Sequence, residues 1–223
     1  MSRLSRAPAP RPGPPQLFFD RGCPFAHRVL ALLEHLGQPV ERHMSPVGDR
    51  PDGVERYSPS GRIPLLVHGD LVLTESRVML EYLAEHHGFV DPCSASLGLH
   101  SLHRNAMALV DDYLVPLLFG RTRAGPDELR LDEALGTIEQ VTATAAPGPC
   151  LLAFHVTPIW IAFQSWRPSG VVTRAILARV GLREWLDATA GLDCLARTAP
   201  DSATHAEDVA RARTAGLLSS AAR

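Results

Sequence analysis

The stretch Gln16-Leu17-Phe18-Phe19-Asp20-Arg21-Gly22-Cys23-Pro24-Phe25-Ala26-His27-Arg28 joins a short apolar run, a tight turn and a helical pattern at one cysteine. Leu17 to Phe19 reads as a buried strand. Ala26, Val29, Leu30, Leu33 and Leu36 then recur at helical spacing until Gly37 stops the pattern. A helix starting near Pro24 aims its unpaired N–H groups and the positive end of its dipole at Cys23, and proline suits a first helical position because it has no N–H to lose. A thiol at such a helix start is expected to titrate at roughly 3.5–7.5 instead of about 8.5, and so to be partly ionised at neutral pH.

A second strand, Val40 to Met44, follows closely, and strand, helix and strand in so short a span make a βαβ unit with parallel pairing. Downstream lie one helical turn around Pro51 to Tyr57 and the turn sequence Ser58-Pro59-Ser60-Gly61. Two strands, Ile63 to Val67 and Leu71 to Leu73, are joined by hairpin chemistry at His68-Gly69-Asp70, and Glu75 to His86 returns to helical spacing. The order is β-α-β-α-β-β-α. After residue 88 nothing reads as a strand. Helices are expected at Leu97 to Phe119, Glu128 to Thr144, Pro158 to Trp166, Val171 to Val180 and Arg183 to Ala190, with Thr157 and Pro158 as a start signal and Gly181 as a stop. This divides the chain into a proline-rich disordered tail (1–15), an α/β domain (16–88), a linker (89–96), an all-α domain (97–199) and a C-terminal tail (200–223).

With 223 residues, 45% of them hydrophobic, the chain can bury a substantial core. Its net charge of -2 offers no basic face for a nucleic-acid backbone, so no nucleic-acid partner is expected. All 22 basic residues are arginine. Cys23, Cys93, Cys150 and Cys194 lie far apart with no Cys-x-x-Cys pair, and the ten histidines show no metal-ligand spacing. No metal is therefore expected, and Cys93, Cys150 and Cys194 read as structural. The absence of a membrane-length apolar run or a signal-like start points to a cytoplasmic protein with no membrane partner.

Three features then combine: Cys23 at a helix start, Ile63-Pro64 opening a strand, and Thr74-Glu75-Ser76 at the next helix start. Together they resemble the glutathione transferases, whose fold is a thioredoxin-like α/β N-terminal domain followed by an all-α C-terminal domain. Cys23-Pro24-Phe25-Ala26 is similar to the omega class and related cysteine-type members. The resemblance implies that Cys23 forms a mixed disulfide with glutathione, the cosubstrate, and that Phe25 belongs to the glutathione-binding set. It further implies that Pro64 is a cis-proline, that the Ile63 backbone pairs with the cysteinyl unit of glutathione, and that Arg50, with Arg62 as a second cation, approaches the glycyl carboxylate. Glu75 and Ser76 match the pair that holds the γ-glutamyl end; here physics agrees, since Ser76 and helix-start N–H groups suit its carboxylate and Glu75 its ammonium. His27 and Arg28 are candidates to bias the field around the thiol.

The helical half departs from the family pattern, because Thr157-Pro158-Ile159-Trp160 keeps a cap and lacks the acid three residues on. Tyr113, Phe119, Trp160 and Trp166 are candidate walls of a hydrophobic pocket, each also readable as core. The implied activity is thiol transfer or reductase chemistry between glutathione and a small electrophilic or oxidised substrate, in a homodimer. Two alternatives stay open: glutathione-dependent conjugation or isomerisation, and a non-catalytic binding or regulatory protein of the stringent-starvation-protein kind.

Overall fold

A computed structural model describes residues 13–46, 54–58, 61–93, 96–119, 127–166 and 170–201, with positions 206, 207, 210, 211 and 214 beyond them. The N-terminal part runs β1 (Gln16–Phe19), α1 (Pro24–Leu36), β2 (Glu41–Met44), α2 (Val54–Tyr57), β3 (Leu65–His68), β4 (Leu71–Leu73) and α3 (Ser76–His86). The four strands form one sheet in the order β2-β1-β3-β4. β1 pairs parallel to β2 with Gln16 opposite Glu41, and antiparallel to β3 with Leu17 opposite Leu66; β3 and β4 form the expected hairpin. This is the mixed sheet of a thioredoxin-like domain.

Strand alternation sorts β1 between two cores. Leu17 and Phe19 pack with Ala26, Val29, Met79 and Leu83 of α1 and α3, whereas Phe18 joins Val54, Leu65 and Val67 on the other face. Gly37 ends α1 in the left-handed conformation, at φ 60°, and the Gly37 and Gln38 N–H groups donate to Glu34 and Leu33 carbonyls. Gly69, at φ 63°, makes the β3–β4 turn. β3 begins at Leu65 instead of Ile63, because Pro64 has no N–H to give a ladder; the Ile63–Pro64 peptide is cis.

The helical part departs further from expectation. The single helix expected over Leu97 to Phe119 is divided into α4 (Leu97–Leu109), a π-helical turn (Val110–Leu114) and α5 (Val115–Leu118). Pro116 follows the π-helical turn in a stretch that stays helical, so it cannot donate to the carbonyls of the turn before it. Asp127 caps α6 (Glu128–Ala143) by accepting from the Leu129 and Arg130 N–H groups. α7 (Leu151–Trp166) starts well before Pro158, so Thr157 is no cap; it lies inside the helix with its hydroxyl 2.8 Å from that of Thr189. The cap is Cys150, whose sulfur accepts the Ala153 N–H at 3.4 Å. α8 (Val171–Leu177) and α9 (Val180–Ala190) break at residues 178–179, leaving Gly181 inside α9, and α10 (Asp193–Thr198) was not expected.

α7 is buried nearly all round, as a helix apolar on every face must be. Phe163, Trp160 and Val156 face the helical core, while Leu151 and Phe154 enter the core of the α/β part beside Leu195 of α10. Each such side chain withdrawn from water contributes about 1.5–3 kcal/mol, so α7 binds the two parts together. Among the described residues no helix is long and apolar enough to cross a membrane.

Candidate active site at the start of α1

The turn between β1 and α1 is built by Asp20, which is buried. Its side chain accepts the Gly22 N–H at 3.1 Å and its carbonyl accepts the Cys23 N–H at 3.1 Å. That turn places Cys23 at the N-cap of α1, with Pro24 at the first helical position. The Cys23 sulfur, partly buried, lies 4.0 Å from the Ile63 carbonyl. The cis Ile63–Pro64 peptide therefore lies beside the thiol.

The thiol's ionisation differs from expectation. Burial pushes Cys23 up to about 11; N–H groups of Ala26 and Phe25 and the Arg28 cation oppose this, and Asp20 adds to it. The helix start does favour the thiolate, but removal from water costs more. Cys23 is thus a protonated thiol at neutral pH in this conformation.

Phe25 sends its backbone N–H toward Cys23 and its ring toward the helical part, where it stacks on Phe119 at 5.9 Å between centroids. Phe119 in turn meets Trp166 edge-on at 5.5 Å. Trp160 is core, 2% exposed, with its indole N–H donating to Asp187, and Tyr113 donates its hydroxyl to the Asp127 carbonyl. Of the four candidate pocket walls, Phe119 and Trp166 continue from the cysteine motif.

Glu75 and Ser76 stand at the start of α3, where Glu75 is the N-cap and makes no side-chain cap hydrogen bond. The exposed Glu75 carboxylate lies 3.9 Å from Arg62. Ser76 is buried, and its hydroxyl oxygen accepts from Arg28 at 3.1 Å. Arg50 lies outside the described residues.

Arg28 was not singled out as a ligand-site residue, yet it organises this region. It is 1% exposed, and its three donor positions go to the His155 carbonyl (2.8 Å), Ser76 Oγ (3.1 Å) and Asp111 Oδ1 (2.8 Å). Asp111 also accepts from His155 Nε2 at 3.1 Å, and that nitrogen lies 3.1 Å from the Met107 carbonyl. Facing two acceptors, Nε2 carries the proton. Burial pushes His155 down to about 4. Burial also works to raise Asp111, but the His155 hydrogen bond and the Arg28 charge outweigh it and hold the carboxyl at about 2. The signal in the sequence was a charged residue amid the apolar face of α1. His27 instead ties α1 to α10, with Nε2 2.9 Å from the Leu195 carbonyl.

This arrangement of cysteine, cis-proline and helix start on a thioredoxin-like sheet, with a helical part behind it, is that of the glutathione transferase fold. Residues 17–92 match the family model of the glutathione S-transferase N-terminal domain. Two solved structures share the fold across nearly the whole chain. Glutathione transferase Omega 1C from Trametes versicolor superposes with a TM-score of 0.73 at 16% identity, covering 94% of this chain and 100% of that one. Rice GST1 in complex with glutathione gives 0.66 at 17% identity, covering 92% and 100%. In sequence, the chain is 39% identical over 70 residues to the stringent starvation protein A homolog of Haemophilus ducreyi, a match of 31% of this chain and 32% of that relative's length.

Proposed function

We propose that the protein is a glutathione-dependent transferase of cysteine type that carries out thiol transfer through a mixed disulfide on Cys23. The observation that carries this reading is the Cys23 sulfur 4.0 Å from the Ile63 carbonyl, beside a cis-proline. In the proposed complex the Ile63 backbone meets the cysteinyl unit of glutathione, with Phe25 and Pro64 beside it. Glu75 takes the γ-glutamyl ammonium. The Arg28 donor occupies an acceptor lone pair of Ser76 Oγ, which leaves the Ser76 O–H to donate to the γ-glutamyl carboxylate alongside the first N–H groups of α3. Arg50 remains the proposed partner of the glycyl carboxylate.

Chemically, the Cys23 thiolate attacks the glutathione sulfur of a glutathionylated substrate. That S–S bond breaks, the substrate leaves as a thiolate and takes a proton, and a second glutathione thiolate then attacks the mixed disulfide to release glutathione disulfide and Cys23. Because Cys23 titrates near 11, its ionisation limits the attack and turnover rises toward alkaline pH.

A second reading is favoured by that same thiol and by the relative among the stringent starvation proteins: a module with this fold that binds without turnover. Intact mass after exposure to glutathione disulfide separates the two. One adduct that requires Cys23, absent in Cys23→Ser, and that clears on adding reduced glutathione supports thiol transfer. No adduct, or one borne by another cysteine, overturns it.

A further inference from the structure

Cys93 and Cys150 are far apart in sequence and form no spacing motif, but the fold brings them together. Cys93 lies in the connection between α3 and α4, and Cys150 caps α7. The ligand atoms of Asp91, Cys93 and Cys150 all lie within 4.8 Å of one another. Both thiols are free, Cys150 is buried, and the Cys150 thiol hydrogen-bonds the Cys93 sulfur. Asp91 Oδ1 accepts the Cys93 N–H at 3.2 Å, which holds the carboxylate beside that sulfur.

His103 lies near Asp91 but outside that set of mutually close ligand atoms. His103 of α4 is 1% exposed, and neither ring nitrogen has a hydrogen-bond partner among the described residues. The Asp91 carboxylate acts electrostatically on that ring.

We infer that Asp91, Cys93 and Cys150 form a binding site for a divalent zinc-class cation, with the fourth position left to a water or other exogenous ligand. Two sulfurs and one carboxylate oxygen are a donor set for a tetrahedral borderline-soft ion with one open position, and a poor one for calcium or magnesium. With Zn–S bonds of about 2.3 Å, two thiolates on one tetrahedral ion stand roughly 3.8 Å apart, within about 1 Å of the limit that already encloses the three ligand atoms. Binding releases the two thiol protons to solvent and joins the connection leaving the α/β part to the first turn of the central helix.

The test uses the full chain, reduced and stripped with a chelator. Zinc is titrated in competition with a chromophoric chelator, and cobalt(II) is added separately to read the sulfur-to-metal charge-transfer absorption. One equivalent of metal is expected, with a tetrahedral two-thiolate cobalt spectrum. Cys93→Ser should weaken zinc binding by more than the roughly 10–100-fold that loss of an outer partner costs, and Asp91→Asn should weaken it too. Cys93→Ser leaves the α7 cap in place, so its folding is checked by circular dichroism beside Cys150→Ser. Absence of zinc binding by the reduced protein, unchanged affinity in Cys93→Ser, or a thiol pair that only forms a disulfide on oxidation would overturn the site.

Discussion

The Cys23 thiol offers the sharpest test, because local and tertiary effects on it have opposite signs. Its pKa is raised from 9.0 to about 11 by burial, against the N–H groups of Ala26 and Phe25 and the Arg28 cation, with Asp20 adding to the rise. That rise corresponds to about 3 kcal/mol in favour of the neutral thiol. At pH 7 the thiolate fraction falls from about 1 in 100 to about 1 in 10,000. A more basic thiolate is the better nucleophile, with a Brønsted coefficient of about 0.4–0.5, which returns roughly six- to tenfold. The net expectation is alkylation about ten- to fifteenfold slower than that of an ordinary thiol of equal access.

The assay is alkylation by iodoacetamide across a pH series, read by peptide mapping so that Cys93, Cys150 and Cys194 are followed separately. The Cys23 rate should climb about tenfold per pH unit beyond pH 9 and level only near 11. Asp20→Asn keeps an acceptor for the Gly22 N–H and removes the charge, so it should move the profile to lower pH. The same shift has a stability consequence. A thiol raised in the folded state leaves stability intact below its unfolded value, and that contribution is lost as pH rises from about 9 through 11. A Cys23 profile that levels at or below pH 9 would refute the claim that burial dominates, and would restore the reactive thiolate read from the helix start alone.

The Arg28 network supplies further tests. Asp111→Ala strips the charged partner from a buried guanidinium, for which about 3–5 kcal/mol is the usual cost; with Asp111 25% exposed, the lower end is expected as a drop in urea midpoint. Acid should destabilise the fold in two steps. His155, depressed by burial to about 4, contributes stability that is lost as pH falls from about 6.5. Asp111, held at about 2 by His155 and Arg28 against its burial, contributes stability lost from about 3.8 downward. Unfolding free energies that stay flat from pH 7 to 4 would refute the first step. Ser76→Ala should weaken glutathione binding by isothermal titration while leaving the Cys23 alkylation profile in place. Thr157→Val, which removes a buried hydroxyl partner of Thr189, should cost about 1 kcal/mol in thermal or urea unfolding.

What could be read from the sequence is what neighbours along the chain decide. The β1 strand, the Asp20–Cys23 turn and the start of α1 are set within a dozen residues, and so is the hairpin at Gly69. Cys23, Pro64, Glu75 and Ser76 were legible as a pattern, and the fold places the Cys23 sulfur 4.0 Å from the Ile63 carbonyl. What failed were quantities fixed by distant parts. The thiol's ionisation turned on desolvation, which no local spacing encodes; Arg28 does bias the field at the thiol, but its larger role was hidden because its partners, Asp111 and His155, belong to the helical part. α7 was hidden for a related reason. A helix apolar on every face has no amphipathic stripe to announce it, and Pro158 inside it imitates a start.

The property that concealed α7 is also what gives it control of the site. Being buried on all sides, it presents Leu151 and Phe154 to the α/β core and Val156, Trp160 and Phe163 to the helical core. Its His155 carbonyl accepts from Arg28, and Arg28 holds the Ser76 hydroxyl. Substitutions in the helical part can therefore reach the proposed γ-glutamyl contact without touching it, through one buried guanidinium. Arg28 cannot adjust to one partner without moving against the others, because its guanidinium is buried and bonds all three at once. On this reasoning Asp111→Asn, which keeps the shape and removes the charge, should change glutathione affinity as well as stability. If it lowered stability alone, Arg28 would be a structural clamp and no link between the two parts of the site.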